Sequence, residues 1–269
     1  MASYYADISP SYTGSSHAGT KDDPFSYADL LGKIGSGGSM ADGDVYYLRG
    51  IRATSGSDWN PGTSYRSCEI LAWDVEKYGP WRITDQIRIG DYGGADWCGF
   101  SLKDGILANA YGIQVPPGGY LENMYIGNVG FHAITSAGTV YGSPNPTIWS
   151  VKNCTIVCST LIFSNRSSLS FPTGNIVNVE NCILNSNYVQ GGANSATVRL
   201  TVSKSIVKGT SGKVLVEDAM EAQIGTISKS APGSRLEYDL LQNMAYPTDF
   251  SHPDLSVFNL IDGYGVGAR

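Results

Sequence analysis

The sequence predicts an all-β fold in which the chain winds as a parallel β-solenoid, because a short pattern occurs four times between residues 121 and 208. The copies are LENMYIG (121–127), VKNCTIV (151–157), VENCILN (179–185) and VSKSIVK (202–208). They align on four anchor residues, Asn123, Asn153, Asn181 and Lys204. Apolar residues stand two positions before each anchor, and small or apolar residues stand one and three positions after it. Such alternation is typical of strands with one buried face.

The alternation slips by one residue at each anchor. Inward positions lie four and two residues before the anchor and one and three residues after it. The chain must therefore bend at the anchor to keep both halves on one core. Asn tolerates the left-handed backbone conformation that such a bend often uses, so we expect bends at Asn123, Asn153 and Asn181.

The spacing of the anchors indicates stacked repeats. Successive anchors are 30, 28 and 23 residues apart. A repeat of this length is too short to bury its own apolar face, but stacked repeats share one core and pair their strand edges. A β-sandwich remains the alternative, because its alternating strands look similar locally, although it gives no reason for a bend at one register.

Composition supports an all-β chain and excludes some partners. The 269 residues include 33 Gly and 17 Tyr, and only 16% are charged. Turns and side-chain ladders suit this composition better than helices do. The net charge of −6 without a basic cluster argues against nucleic acid as a partner. No membrane span and no signal peptide are expected, because the chain lacks a long apolar run and a basic start.

The cysteines do not form a disulfide framework. They are five, an odd number without paired spacing: Cys68, Cys98, Cys154, Cys158 and Cys182. Cys154 and Cys182 share one inward register, so we predict that they are small buried apolar side chains. No His lies near them, and neither a metal nor a cofactor is expected.

Outside the repeats, the chain divides into three further segments. Residues 1–25 form a Tyr-, Ser- and Gly-rich arm without a period, and residues 26–40 are predicted to form a capping helix that begins with Ser26 and Asp29. Residues 41–225 form the β-solenoid, and residues 226–269 form a C-terminal cap and tail. A short amphipathic helix before the first strand would cover the open apolar end of the stack.

The entrance to the repeats resembles that of a known fold. The string consists of Gly19-Thr20, Asp23-Pro24-Phe25-Ser26, a helix, and Asp42 to Gly50. It is similar to the entrance of right-handed parallel β-helix proteins of the pectin-lyase-like superfamily, and with the NCTIV-type repeats the resemblance covers roughly residues 19–210. The resemblance implies a single-stranded right-handed parallel β-helix with a short N-terminal capping helix. That superfamily includes polysaccharide lyases and hydrolases, phage tailspikes, adhesins and inert virion parts, so the resemblance leaves the function open.

Catalytic residues are hard to find in the repeats. Hydrolases and lyases of carbohydrates need carboxylates gathered in one groove, yet no Asp or Glu occurs from Asn123 to Val179. If the chain is an enzyme, the candidates are Asp85, Asp91, Asp96 and Arg88, which are as easily solvated turn residues. The three histidines, His17, His132 and His252, have no partner at metal or triad spacing.

Aromatic residues are the other candidates for a site. Four of the five Trp lie between residues 59 and 97. They could form a sugar-stacking platform or a protein contact surface, or they could pack long loops against the wall of the solenoid.

A structural role in a bacteriophage virion fits these observations best, and the phage context comes from the resemblance. We expect a capsid decoration or cement protein that contacts the major capsid protein, other virion subunits, or copies of itself in a homotrimer. The residues expected to bind partners are Tyr4, Tyr5, Tyr12, Phe258, Leu260 and Ile261. A tailspike depolymerase and a non-catalytic carbohydrate-binding adhesin are the alternatives.

Overall fold

The computed structural model describes most of the chain up to residue 208 and one later strand. The described residues are 1–35, 38–53, 57–59, 66–90, 98–116, 118–127, 131–136, 147–158, 160–165, 175–186, 189–191, 198–208 and 235–240. They contain seventeen strands and two short helices.

The strands follow one another along the chain with few interruptions. They are β1 (Ser3–Asp7), β2 (Val45–Arg49), β3 (Ile51–Arg52), β4 (Ser57–Trp59), β5 (Arg66–Ala72), β6 (Trp81–Ile89), β7 (Cys98–Val115), β8 (Tyr120–Gly127), β9 (Phe131–Ser136), β10 (Thr147–Lys152), β11 (Thr155–Cys158), β12 (Thr160–Asn165), β13 (Asn175–Glu180), β14 (Ile183–Ser186), β15 (Val189–Gly191), β16 (Val198–Lys208) and β17 (Arg235–Leu240). The helices are α1 (Tyr27–Ile34) and α2 (Val75–Tyr78).

Every described strand pair is parallel, and the pairings run in three rows. The first row is β1, β2, β5, β7, β8, β10, β13, β16 and β17. The second row begins with β3 and β6, and the third row begins with β4 and β6. The fold is therefore all-β and parallel-stranded, and it differs from the antiparallel sheets of a sandwich.

The register of the first row confirms the alignment of the sequence repeats. Val151 pairs with Leu121 and with Val179, and Val179 pairs with Val202. Leu102 pairs with Leu121, so residues 102–107 are an additional copy of the pattern, with Asp104 at the anchor register.

The N-terminal segment differs from the expected arm without a period. Residues 3–7 form β1, which pairs with β2, and Ala6 and Ile8 are buried in the common core. Residues 19–25 cover the other edge of β1. Tyr5 N donates to Gly19 O at 2.9 Å, and Asp7 N donates to Phe25 O at 2.9 Å. The alternation is present but extends over too few residues to stand out in the sequence.

Helix α1 is shorter than the predicted span of 26–40. Ser26 is its N-cap and forms a capping box with Asp29, and Gly35 N donates to Leu31 O at the C-terminal end. Tyr27, Leu30 and Ile34 face the same core as Ala6 and Ile8. The helix therefore ends at Ile34, before the predicted boundary at residue 40.

Among the described side chains, one apolar core continues from Ala6 to Leu184. Its largest buried side chains include Trp59, Trp81, Trp149, Tyr46 and Phe100. At the other end, β17 pairs with β16, so the sheet extends past residue 225, the expected end of the solenoid. Within the described ranges, no helix has the length and apolar character needed to cross a membrane.

Candidate interaction surface

The structure brings together few of the residues predicted for catalysis. Asp85 and Arg88 lie on β6 and are partly buried, whereas Asp91 and Asp96 fall outside the described residues. In the part of the chain that the structure describes, no group of three His, Cys, Asp or Glu side chains is arranged to hold a metal ion.

His17 has a partner that sequence spacing did not reveal. Its Nδ1 lies 2.7 Å from Oδ1 of Asp23, a single contact that is neither a metal site nor a catalytic triad. The hydrogen bond to Asp23 raises the pKa of His17. The side chain of His132 and the whole of His252 lie outside the described part.

The predicted partner-binding tyrosines have three different environments. Tyr4 packs on the core and stacks on Phe25 and Tyr46, with ring centroids 5.5 and 5.4 Å away. Tyr12 donates to Pro24 O at 3.1 Å. Tyr5 lies on the outer face of β1. The C-terminal candidates Phe258, Leu260 and Ile261 are not among the described residues.

Most of the tryptophans are core residues and do not form a sugar platform. Trp59 and Trp81 are fully buried, with ring centroids 5.9 Å apart, and Trp149 is buried in a later repeat. Trp81 Nε1 donates to Lys103 O at 3.0 Å. Trp97 lies outside the described residues, and Trp73 is partly exposed.

Trp73 belongs to a surface cluster near the first repeats, which we call the outer aromatic surface. Its members are Tyr5, Tyr47, Arg49, Trp73, Lys77 and Tyr78. Tyr5 and Tyr47 are register partners on β1 and β2, and their rings stack with centroids 5.0 Å apart. Trp73 lies against Tyr5 at 5.1 Å.

A loop inserted between β5 and β6 brings Trp73, Lys77 and Tyr78 to this surface. Residues 73–80 have no counterpart in the next repeat, because Ile70 pairs with Leu102 and Trp81 pairs with Gly105. The loop contains α2, and the Asp74 side chain accepts from Lys77 N at 3.1 Å. The insertion of residues 73–80 can be recognised only from the register of β5 and β6 with β7.

Arg49 is held in the middle of the outer aromatic surface. Its Nε donates to Asp7 Oδ2 at 2.8 Å. The guanidinium carbon lies 4.3 Å from the ring centroid of Trp73 and 4.7 Å from that of Tyr78. Planar guanidinium groups stack on aromatic faces in this way and still present donors to a ligand.

Two cations act on the hydroxyl of Tyr78. Lys77, whose Nζ lies 4.9 Å from the Tyr78 ring centroid, lowers the pKa of Tyr78, and the charge of Arg49 lowers this pKa further. Tyr78 in turn raises the pKa of Lys77. Three hydrogen-bond donors, two of them charged, therefore converge beside exposed aromatic rings. That arrangement favours an anionic group.

A second polar arrangement runs along the middle repeats. Asn123 Nδ2 donates to Asp104 Oδ1 at 2.8 Å, Asn153 Nδ2 donates to Asn123 Oδ1 at 3.0 Å, and Asn181 Nδ2 donates to Asn153 Oδ1 at 3.4 Å. The φ angles of the three Asn anchors are 54°, 56° and 54°, which confirms the predicted left-handed bends. We call this column the amide ladder.

Charged pairs follow the same direction on the outer face. Lys103 Nζ lies 2.8 Å from Glu122 Oε1, and Lys152 Nζ lies 3.5 Å from Glu180 Oε2. Lys152 is also the register partner of Glu122. Opposite charges therefore alternate from one repeat to the next, and each repeat is matched to its neighbours.

The cysteines whose side chains the structure describes are buried, which confirms the prediction made for Cys154 and Cys182. They are Cys68, Cys154, Cys158 and Cys182. Cys154 N donates to Cys182 Sγ at 3.5 Å, and burial raises the pKa of the Cys154 thiol. Thiols in such an apolar environment are poor nucleophiles.

No protein-family model, no curated protein and no solved structure matches this chain.

Proposed function

We propose that the chain is a structural protein of a bacteriophage virion, most specifically a capsid decoration or cement protein. In this proposal the parallel sheet closes into a single-stranded right-handed β-helix of the pectin-lyase-like kind, and α1 with residues 19–25 caps its N-terminal end. The phage context rests on the resemblance of the entrance string and of the repeats.

The observation that supports a structural role is the use of polar side chains in the middle repeats. Asp104 and the three Asn anchors bond to one another along the stack, and Lys103 and Lys152 pair with Glu122 and Glu180. These groups bond to their counterparts in neighbouring repeats and so stabilise the register between repeats. A rigid rod of this kind suits a protein that reinforces a shell.

The partner contact in this proposal is the outer aromatic surface, because Tyr4 and Tyr12 are engaged within the chain. Tyr5 is the predicted partner-binding residue that lies on that surface. The expected partners are the major capsid protein or other virion subunits, and a homotrimer is the assembly that we propose to test for self-association.

Quantitative peptide mass spectrometry of purified virions from the source tests the proposal. A copy number comparable to that of the major shell protein is the expected result. A few copies per particle would point to the tail and to the depolymerase alternative, and absence from particles would contradict a virion role.

A carbohydrate-binding role is the second candidate, and the partly exposed aromatic rings of Trp73, Tyr5, Tyr47 and Tyr78 favour it. For catalysis, Asp85 and Arg88 are the described candidates. Glycan-array binding that is lost in Trp73→Ala would support this alternative, and cleavage that is lost in Asp85→Asn would support a depolymerase.

A further inference from the structure

The cations of the outer aromatic surface are incompletely matched by acidic groups. Arg49 is bonded to Asp7 through one of its nitrogens. Lys77 Nζ lies 4.9 Å from the ring centroid of Tyr78, and Lys21, which borders the surface, has its Nζ 5.4 Å from the ring centroid of Tyr5. Among the described residues, neither lysine has a carboxylate partner within ion-pair distance. An acidic partner would therefore gain charge-assisted hydrogen bonds here.

The aromatic rings of the surface indicate which side chains a ligand needs besides its carboxylates. Tyr5, Tyr47, Trp73 and Tyr78 are each partly exposed and lie next to one another. A fitting ligand places carboxylates near Lys77 and Arg49 and apolar or aromatic side chains on the rings. An extended peptide with Asp at intervals between large apolar residues has this chemistry.

The sequence of the chain itself contains such a peptide. Residues 246–262 read YPTDFSHPDLSVFNLID, with three Asp, two Phe, four aliphatic residues and two Pro. No Lys or Arg occurs between residues 236 and 268. The composition of this segment therefore complements the outer aromatic surface in charge and in apolar character, and its two prolines restrict the backbone.

The distance along the stack favours a second copy as the source of the peptide. The first row contains nine strands from β1 to β17. At ~4.8 Å per strand, its ends are about 38 Å apart. The nine residues from Leu240 to Asp249 span at most about 32 Å. Asp249 therefore cannot reach Tyr5 of its own chain. Asp254 and Asp262, which are 14 and 22 residues beyond Leu240, can reach it, so only a neighbouring chain can place all three carboxylates at the surface.

We propose that the outer aromatic surface of one copy binds the acidic segment 246–262 of a second copy, with Lys77, Arg49 and the Tyr78 hydroxyl receiving its carboxylates. The contact is head to tail, so it joins copies of the chain without using the sheet edge that residues 19–25 cover. The inference extends the proposed partner contact to self-association, and it can hold whether or not the chain belongs to a virion.

Fluorescence anisotropy tests the contact directly. A labelled synthetic peptide of residues 246–262 is titrated with the full chain at low salt, and we expect saturable binding that weakens as salt is added. The double variant Lys77→Gln/Tyr78→Phe should bind at least roughly fivefold more weakly, because it loses one charge and one donor but keeps the ring. A peptide with all three Asp replaced by Asn should lose binding similarly.

Lys33→Gln is the matched control. Its Nζ lies 4.7 Å over the ring of Tyr4, which packs on the core beside α1, so it removes a similar cation at a different place. Equal binding by the wild type and Lys77→Gln/Tyr78→Phe would overturn the proposal. So would peptide binding that is lost only in Lys33→Gln, or binding of an acidic oligosaccharide by the surface together with no binding of the peptide.

Sedimentation equilibrium of the full chain separates the two sources of the peptide. Self-association that depends on concentration and is weakened by Lys77→Gln/Tyr78→Phe supports contact between copies. Docking within one chain predicts a different pair of results. The full chain would stay monomeric, and it would bind the peptide only after its own Asp249, Asp254 and Asp262 are replaced by Asn. These two results together would overturn the proposal.

Discussion

The side-chain amide of Asn153 donates to Oδ1 of Asn123 at 3.0 Å, although the two residues are 30 positions apart in the sequence. Both residues have left-handed backbone, with φ angles of 56° and 54°. The bend places each amide directly above the previous one, so that one side chain both tolerates the backbone and bonds the repeats together. The amide ladder follows from these two properties of Asn.

Substitution of Asn153 separates the two properties. Asn153→Ala loses both ladder hydrogen bonds. Alanine is also unfavourable in left-handed backbone, because its Cβ is crowded there and it has no polar side-chain group that bonds to the backbone. The substitution should therefore lower the unfolding free energy by about 2–4 kcal/mol. Asn153→Gly keeps the backbone freedom and should cost about half as much. Equilibrium urea unfolding measures both.

Ser150→Ala is the control for Asn153, because Ser150 is a partly exposed residue on the preceding strand. It should change the unfolding free energy by less than about 0.5 kcal/mol. If Asn153→Gly unfolds like the wild type, the ladder hydrogen bonds do not contribute to stability. Equal losses for Ala and Gly would show that the backbone conformation is not strained.

Two adjacent substitutions on β13 test the strand register. Val179 is buried in the core, so Val179→Asp leaves an unpaired charge in an apolar environment and should prevent folding. Asn178 faces outward and is partly exposed, so Asn178→Asp should fold normally. Circular dichroism and the yield of folded protein distinguish the two. A stable Val179→Asp variant would show that the register is wrong.

The sequence predicted the repeats best where Asn marks them. Asn123, Asn153 and Asn181 share one residue type and one alternation, and the structure places them in one column. The copy at residues 102–107 was missed because Asp104 stands at the anchor and only 19 residues separate it from Asn123. Asp tolerates the same left-handed backbone and accepts the same hydrogen bond. The amide ladder therefore continues through Asp104, although the residue type and the spacing differ from those of the Asn anchors.

The outer aromatic surface could not be predicted in this way. Tyr5 and Trp73 are 68 positions apart, and they meet because β1 and β2 are register partners and because a loop is inserted after β5. Local alternation specifies which face a residue occupies but not which insertion folds onto it. The pairing of His17 with Asp23 was missed for a similar reason, since a compact loop has no periodic pattern.

Gly105 tests the packing between the second-row strands. It occupies the register position that Met124 holds in the next repeat, and a Cβ at Gly105 would overlap the indole ring of Trp81. Gly105→Ala should therefore cost about 1–3 kcal/mol through overpacking. Thermal unfolding gives the change, and adding Trp81→Phe should recover part of the loss because the smaller ring leaves space.

Gly32→Ala is the matched control for Gly105. Gly32 lies in α1, and no atom lies within 4 Å of the position that its Cβ would take. The substitution should stabilise the chain by about 0.5–1 kcal/mol, because Ala is a better helix former than Gly. Destabilisation by Gly32→Ala, or an unchanged melting temperature for Gly105→Ala, would contradict the packing of these two regions.

The pairing of His17 with Asp23 predicts how the N-terminal segment responds to pH. Asp23 raises the pKa of His17. The stability that protonated His17 gives to the folded segment is therefore fully present below the unfolded-state pKa of about 6.5, and it is lost as the pH rises through the higher folded-state pKa. The pKa of Asp23 is lowered by the Ala18 N–H and by His17, so its contribution is lost only as the pH falls below about 3.9. Protection should be greatest between these limits.

Amide hydrogen exchange of Tyr5, Asp7 and Phe25 measures this response, since these amides bond β1 to residues 19–25. Their protection factors should decrease from pH 6 towards pH 8, while that of Ile183, which donates to Cys154 O in the middle repeats, should not.

His17→Asn should remove the decrease above pH 6 and keep the loss at acidic pH, because Asp23 still accepts from Ala18 at 2.8 Å. Asp29, which accepts from Ser16 N at 2.7 Å, and Tyr12, near His17, are the other groups that face this histidine. If wild-type protection is flat between pH 6 and pH 8, the ion pair does not stabilise the N-terminal segment.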